Sequence, residues 1–276
     1  MKIYRLFSLF RKIFFSLYKR IRTAIYVWTN DQEKIFQNEL ARYRDLGLDY
    51  RMGLRVLEKT INEKIDCMDV SSHMVLFSAL SLSPSYFSDI LEIGTYKGET
   101  SNLLSRLFPS GNITTIDLPA SDPIFFNSYL GARGNANRQK IYTEILSQNL
   151  TPDNIHFIET NSFFLLSVLD GKKFDLIWLD GGHLYPEIAW DACQAYWLCK
   201  PGGLIIFDDV ALNSNTRTTD KLSGAVHEVV TYISSRTNCK VSYLLKRLDP
   251  KYNSVPSLQK HIAVLEKCMA PDIGKE

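Results

Sequence analysis

The sequence predicts an α/β fold with a doubly wound, mostly parallel sheet of about seven strands. After residue 88, short runs rich in Ile, Leu and Phe alternate with helical segments, which is typical of parallel strands covered on both faces. Two later runs, KVSYLLKRL and HIAVLEKC, flank a loop with Pro250 and Pro256, and we expect them to pair as an antiparallel hairpin. Residues 31–88 show helical spacing, so a helical extension is predicted before a sheet domain at 89–270.

Five parallel strands are predicted in chain order. Each is a short apolar run that ends near Gly, Asp or Glu, and helical spacing follows the first and fourth runs. This alternation indicates a Rossmann-like sheet, whose ligands bind beyond the carboxyl ends of the strands. The five runs are DILEI (89–93), NITTIDL (112–118), NIHFIE (154–159), FDLIWLD (174–180) and GGLIIFDD (202–209).

Composition excludes several classes of protein. Hydrophobic residues make up 45% and charged residues 22%, which excludes a disordered chain and a multi-span membrane protein. Lys plus Arg total 32 against 30 Asp plus Glu, so the net charge of +2 provides no general reason to expect a nucleic-acid partner. The five cysteines form no CxxC pair, which argues against a disulfide framework and favours a reducing, cytoplasmic compartment.

The first 30 residues contain seven basic side chains and no acidic one. Charges interrupt every apolar run, and the longest uncharged stretch has eight residues, far short of the ~20 of a membrane-spanning helix. Residues 1–28 are predicted to form a basic amphipathic helix that lies on an anionic membrane, which would place the protein at the inner membrane surface. The same apolar stripe could instead dock on its own domain or on a second subunit of a homodimer. The stripe is Ile3, Leu6, Phe7, Phe10, Ile13, Phe14, Leu17, Ile21, Ala24, Ile25 and Trp28, and Arg5, Arg11, Lys12, Lys19 and Arg22 lie opposite.

The segment EIGTYKG follows the first strand, where a cofactor would bind. A dinucleotide fingerprint needs G-x-G-x-x-G, and neither register of Gly94 provides it. Glu92 would repel a pyrophosphate but suits a cationic ligand. Asp117, at the end of the second strand, is placed to accept hydrogen bonds from both hydroxyls of a ribose.

With Asp117, DGGHLY at 180–185 and KPGGLIIFDD at 200–209, this segment resembles the class I S-adenosylmethionine-dependent methyltransferases. The similarity is closest to the small metal-dependent O-methyltransferases of the catechol and macrocin type. It extends from about Ser72 to Lys267. The resemblance implies S-adenosylmethionine as cofactor, with the ribose on Asp117 and the adenine near Asn161 or Ser162. The remaining implied cofactor-binding residues are Glu92, Gly94, Thr95, Gly98 and Asp180.

Asp180, Asp208 and Asp209 follow strands four and five at neighbouring carboxyl ends. Converging carboxylates repel unless they are paired, protonated or metal-bound, and neither motif contains a Lys or Arg close enough in sequence to pair with them. Lys200 precedes the fifth strand and is expected at the opposite end of the sheet. The donors favour a hard cation such as Mg²⁺. The alternative is that Asp208 and Asp209 cap a turn or hold a lid.

His183 is the nearest candidate for a general base, because Gly182 occupies the position where some relatives carry a second acid. His183 could equally be structural, and Asp180 is the second catalytic candidate. His73 and His227 are weaker alternatives.

Two segments are candidates for substrate binding. Residues 119–152 are rich in aromatic and basic side chains, and residues 211–222 include Arg217 and Lys221. Ordinary packing and solvation would explain each of these residues as well. The function predicted is a Mg²⁺-assisted O-methyltransferase for a small hydroxylated acceptor, such as a sugar or natural product. The alternatives are a non-catalytic membrane-surface protein with a cofactor-binding fold and an NAD-type oxidoreductase.

Overall fold

The computed structural model describes residues 2–83, 87–128, 132–212, 224–256 and 259–269, with side chains from residue 14 onward except residue 15. Four helices precede the first strand, as the helical spacing predicts. Asp31 caps the second helix, where its side chain accepts a hydrogen bond from the backbone N of Lys34 at 3.0 Å. The helices are α1 (Lys2–Thr29), α2 (Gln32–Asp45), α3 (Tyr50–Ile61) and α4 (Ser72–Leu80).

Seven strands form one sheet in the order β3-β2-β1-β4-β5-β7-β6. The first five strands are parallel, and β7 pairs antiparallel with both β5 and β6, so the predicted fold class is confirmed. The fifth strand begins three residues earlier than predicted. The strands are β1 (Asp89–Ile93), β2 (Asn112–Asp117), β3 (Ile155–Glu159), β4 (Phe174–Leu179), β5 (Cys199–Val210), β6 (Cys239–Leu245) and β7 (His261–Lys267).

Helices connect the strands and cover both faces of the sheet. A 3₁₀ turn at Ser162–Phe164 follows β3. The long connection between β2 and β3 contains two helices. The helices after β1 are α5 (Glu99–Leu107), α6 (Pro123–Asn127), α7 (Ala136–Asn149), α8 (Leu165–Val168), α9 (Glu187–Leu198), α10 (Ala225–Arg236) and α11 (Pro250–Asn253).

The helical extension shares a core with the sheet. Tyr43 and Leu57 are fully buried in the same apolar cluster as Trp178 and Ile206. Glu39 of α2 is also buried, and its carboxylate accepts a hydrogen bond from the backbone N of Leu245 at 2.9 Å. Helices α2–α4 therefore form one layer of the sheet domain.

The state of the cysteines and the apolar character of the helices bear on the cellular environment of the protein. All five cysteines carry free thiols in this structure. Within the part of the chain that the structure describes, no helix combines the length and apolar character needed to cross a bilayer.

Candidate active site

The loop after β1 is held tightly against the end of β4. Gly94 has φ +101°, and a Cβ at this position would lie 2.4 Å from the backbone O of Asp180. Gly98 has φ +76° and stands immediately before α5. Both conformations favour glycine, and at Gly94 the close backbone contact excludes any side chain. The motif thus brings the first strand's loop directly to the Asp180 segment.

Asp117 anchors this loop to the end of β2. One carboxylate oxygen accepts a hydrogen bond from the backbone N of Tyr96 at 2.6 Å, and the other accepts one from Leu118 at 2.7 Å. Burial raises the pKa of Asp117. Tyr142 supports the loop from α7, since its hydroxyl donates to the backbone O of Tyr96 at 2.6 Å. Each Asp117 oxygen keeps a second lone pair, which a ribose hydroxyl could use.

Glu92 lies beneath the loop rather than at its surface. Its side chain is 1% exposed and accepts hydrogen bonds from the hydroxyls of Ser101 and Thr115. Thr95 joins the same network through its Oγ1, which lies 2.6 Å from Oγ1 of Thr115. Burial raises the pKa of Glu92 to about 7. In this structure Glu92 therefore braces the loop from below, and its role in cofactor binding stays a prediction.

Asn161 and Ser162 lie just beyond β3, on the expected edge of the sheet. The Asn161 side chain caps the 3₁₀ turn, where it accepts a hydrogen bond from the backbone N of Phe163 at 2.9 Å. The backbone O of Ser162 accepts one from Nε2 of Gln194 at 2.7 Å. Both residues stand next to the end of β2, where Thr160 donates its backbone N–H to Asp117 O at 2.9 Å.

Asp208 and Asp209 point to the same place because β5 is irregular there. Consecutive residues of a regular strand face opposite sides of a sheet. The pairing with β7 shifts register between Phe207 and Val210, and Asp209 has φ +55°. This bulge lets both carboxylates contact one group, Nζ of Lys246, at 2.5 Å each.

Two lysines compensate the charge of these acids. Lys246 follows β6, and Lys260 precedes β7 and pairs with Asp209. The backbone N of Lys246 donates to the backbone O of Lys260 at 2.9 Å. Both residues lie at this edge because β6 is parallel to β5 and antiparallel to β7. Neither motif contains a partner for the acids, but Lys246 and Lys260 from distant parts of the sequence pair with them. Lys200 does lie at the opposite end, on Asp89 and Asp175.

The acid cluster keeps two open polar atoms. Asp208 Oδ1 and His183 Nε2 are both buried, and neither has a hydrogen-bond partner among the described residues. His183 Nε2 lies 3.7 Å from Asp180 Oδ1, which is too long for a hydrogen bond. Atoms of this kind indicate a place where a ligand or water completes the bonding.

The pKa values of the cluster reflect burial and charge. Burial alone would raise the pKa of Asp208, but the ammonium of Lys246 lowers it to about 2. The pKa of Asp180 is raised well above its ordinary value by burial and by the charge of Asp208. Burial lowers the pKa of His183, so its imidazole is neutral near pH 7. Lys246 and Lys260 already place positive charge at Asp208 and Asp209.

This arrangement does not fit the predicted three-carboxylate metal centre. Ammonium groups contact Oδ2 of Asp208 and both side-chain oxygens of Asp209. Across the described ranges, no group of three or more His, Cys, Asp or Glu side chains is arranged to hold a metal ion. Only the unpartnered Asp208 Oδ1 favours a bound cation.

The structure also locates the weaker candidates. His73 of α4 stacks near Trp178 at 5.0 Å, and burial lowers its pKa to about 4 while the charge of Asp208 acts to raise it. His73 therefore lies by the acid cluster, which the sequence did not indicate. His227 packs against Tyr243.

Other features described above do not add to the site. Phe125 forms a small buried core with Leu146 and with the ring of Tyr142, whose hydroxyl supports the cofactor loop. Arg217 and Lys221 lie outside the described residues. A cavity of about 270 Å³ lies near Gly202 and Glu266, at the opposite end of β5 from the acids.

Comparisons with known proteins agree with this arrangement. Residues 91–210 match the sequence profile of a family described as "Methyltransferase domain". No curated protein matches the chain in sequence. Among solved structures, the O-methyltransferase TomG from Streptomyces achromogenes, involved in tomaymycin synthesis and solved in complex with SAM, is 17% identical. The match covers 80% of this chain and 89% of that chain, with a TM-score of 0.51.

A protein from Staphylococcus aureus described as a caffeoyl-CoA O-methyltransferase has the same fold. It is 15% identical, the match covers 91% of this chain and 99% of that chain, and the TM-score is 0.50. These identities show a shared fold. The matched profile covers β1 to the end of β5, including the Gly94 loop, Asp117 and the acids. Residues 91–210 of the chain therefore form a methyltransferase domain.

Proposed function

We propose that the protein transfers the methyl group of S-adenosylmethionine to a hydroxyl of a small acceptor, such as a sugar or a natural product. The pair of open atoms, Asp208 Oδ1 and His183 Nε2, carries the proposal, because it can receive a hydroxyl hydrogen beside the cofactor loop. The acids lie next to that loop, since Asp180 O faces Gly94. O-methyltransferases with the same fold, described for tomaymycin synthesis and caffeoyl-CoA, support this reaction class.

The residues suggest a division of labour. Bound S-adenosylmethionine supplies an electrophilic methyl group on a positively charged sulfur. His183, neutral near pH 7, accepts the hydroxyl proton while the acceptor oxygen forms its bond to the methyl carbon and the carbon–sulfur bond breaks. The negative charges of Asp209 and Asp208 favour the imidazolium that this transfer leaves on His183, and Lys246 holds Asp208 in place.

Cofactor binding is tested by calorimetry with S-adenosylmethionine and, separately, NAD. We expect S-adenosylmethionine to bind and NAD not to bind. Asp117→Ala should weaken binding by about 1.5–3 kcal/mol, as for hydrogen bonds to a charged group. Lys97→Ala, which changes a half-buried side chain in the same loop, is the matched control. Unchanged affinity in Asp117→Ala would remove Asp117 from the ribose site.

Whether a metal assists is a separate question. Mg²⁺ held by Asp180, Asp208 and Asp209 remains the competing proposal, which the open Asp208 Oδ1 favours. We propose the metal-free reaction instead, because Lys246 and Lys260 already provide positive charge at these acids. Methyl transfer to a panel of hydroxylated acceptors should then be unaffected by EDTA. Activity that EDTA abolishes and Mg²⁺ restores would establish the metal centre and remove Lys246 from this role.

A further inference from the structure

Helix α1 exposes a continuous apolar stripe. Phe14, Leu17, Ile21, Ile25 and Trp28 recur at spacings of three and four residues, which places them on one face of a helix. All five are exposed, from 52% at Ile21 to 86% at Trp28. Tyr18 belongs to the same face and is 52% exposed. An apolar face of this length on the surface indicates an interaction site.

The helix is attached to the protein by a different face. Arg22, Tyr26 and Asn30, which recur every four residues, are half-buried. Nη2 of Arg22 lies 3.4 Å from Oγ of Ser254, at the end of α11, and α1 packs against that helix. The stripe of Phe14, Ile21 and Ile25 therefore stays free of the sheet domain, so docking on its own domain does not use it.

Charge distinguishes between the two partners that could cover the stripe, a second copy of α1 and an anionic membrane. The first 30 residues contain seven basic side chains and no acidic one, and Lys19 and Arg20 are exposed on the same helix as the stripe. Pairing two copies of α1 through their stripes would bring like charges together without an acid on either helix. Anionic lipid headgroups instead offer phosphates to the basic residues, while acyl chains receive the apolar face. Tyr18 and Trp28 are of the types that favour the lipid–water interface.

We propose that α1 lies flat on an anionic membrane surface, with its apolar stripe inserted among the lipids. The attachment of α1 has a consequence for orientation. Helix α11 belongs to the connection between β6 and β7, whose two ends carry Lys246 and Lys260. The helix is thereby anchored to the segment that supplies lysines to the acid cluster, and membrane binding holds that edge of the sheet toward the lipid surface.

Vesicle sedimentation of the full chain tests the proposal without requiring activity. Phosphatidylcholine vesicles that contain phosphatidylserine should bind the protein, and phosphatidylcholine alone should bind it far more weakly. Raising the salt from 0.1 M to 1 M shortens the screening length from about 10 Å to about 3 Å and should release the protein. Failure to bind the anionic vesicles at low salt would overturn the proposal.

Matched variants locate the binding surface. Ile21→Glu combined with Ile25→Glu should weaken vesicle binding by about tenfold or more, because it places two carboxylates in the stripe. Lys19→Gln with Arg20→Gln should weaken it mainly for anionic vesicles. Ile141→Glu, which changes a 56% exposed residue of α7, is the control and should not matter. Equal binding by the double glutamate variant would overturn the proposal.

Sedimentation equilibrium without lipid tests whether a second copy of the chain covers the stripe. We expect a monomer whose mass the double glutamate variant does not change. A dimer that this variant dissociates would assign the stripe to a second copy and overturn the lipid proposal. Calorimetry with S-adenosylmethionine on the same variants should show unchanged affinity, and this readout separates the membrane proposal from the proposed function.

Discussion

Two clusters in which one lysine bridges two aspartates lie at opposite ends of the sheet. At the amino end of the parallel strands, Lys200 pairs with Asp89 and Asp175 at 2.8 and 3.0 Å. At the carboxyl end, Lys246 pairs with Asp208 and Asp209 at 2.5 Å each. Lys200 and Lys246 each bridge two aspartates, so the two clusters share this pattern. They differ in the additional Lys260 on Asp209 and in their surroundings.

The surroundings of the two clusters differ, and the difference distinguishes a structural cluster that fastens strands together from a binding site. Asp175 Oδ2 also accepts hydrogen bonds from the backbone N of Ser88 and of Asp89, at 3.1 and 3.0 Å. The Lys200 cluster thus fastens β1 to β4 and β5. Asp208 is 3% exposed, and its Oδ1 has no partner among the described residues. A buried acceptor that the protein leaves open is the feature that marks the carboxyl end as functional.

The largest expected effect comes from removing each lysine. Lys246→Met should lower the free energy of unfolding by about 3–5 kcal/mol, since it leaves a buried carboxylate at Asp208 without its counter-charge. Lys200→Met should cost no more than about 1 kcal/mol, because its ion pairs are roughly one-third exposed and water screens them. Urea unfolding measures both values.

A second substitution tests whether the larger loss of stability, in Lys246→Met, comes from the uncompensated charge of Asp208. Adding Asp208→Asn to Lys246→Met should recover part of it, because the uncompensated charge is then absent. Equal losses for the two lysine variants would show that the carboxyl-end cluster is a second fastening cluster.

Two glycines sharpen the same comparison. Gly202 has φ +81°, and a Cβ at this position would have no other atom within 4 Å. Gly202→Ala should therefore lower the free energy of unfolding by about 1–2 kcal/mol through its backbone conformation alone. Gly94→Ala should cost at least about 1 kcal/mol more, because its Cβ would meet Asp180 O at 2.4 Å. Only Gly94→Ala should also weaken binding of S-adenosylmethionine in calorimetry. A stronger effect on affinity from Gly202→Ala would contradict the placement of the cofactor loop.

The smallest effect is a difference in pH dependence. Burial raises the pKa of Glu92 to about 7, so the folded state favours its protonated form, and its contribution to stability falls as pH rises from about 4 to about 7. Glu92→Gln should therefore gain stability over the natural chain across that window, by on the order of 3 kcal/mol, and stay level above it.

At the amino end of the parallel strands, the contribution of Asp175 to stability has the opposite pH dependence. Burial alone would raise the pKa of Asp175, but the backbone N–H of Asp89 and the Lys200 ammonium lower it. Its contribution is present above about pH 4 and is lost as pH falls further. Asp175→Asn should thus approach the natural chain in stability only in acid. Urea unfolding at a series of pH values measures both variants, and parallel curves for Glu92→Gln and the natural chain would refute the raised pKa.

Much of the fold could be predicted because its signals are local. The strand Asp89–Ile93 was predicted to the residue, since a five-residue apolar run between polar segments is a sufficient signal. The antiparallel hairpin followed from two apolar runs after the last parallel strand. Gly94 and Gly98 lie within six residues of Glu92, so the spacing alone places them in one loop, and the parallel pairing of β1 with β2 brings Asp117 to that loop.

The charge balance of the site was decided only by the tertiary structure. Lys246 lies 37 residues beyond Asp209, and it reaches the acids only because β7 inserts between β5 and β6. The bulge that turns both carboxylates to one side depends on pairing with β7. The face by which α1 docks depends likewise on α11, more than 200 residues away. A sequence determines local periodicity and spacing, whereas long-range pairing determines which charges meet.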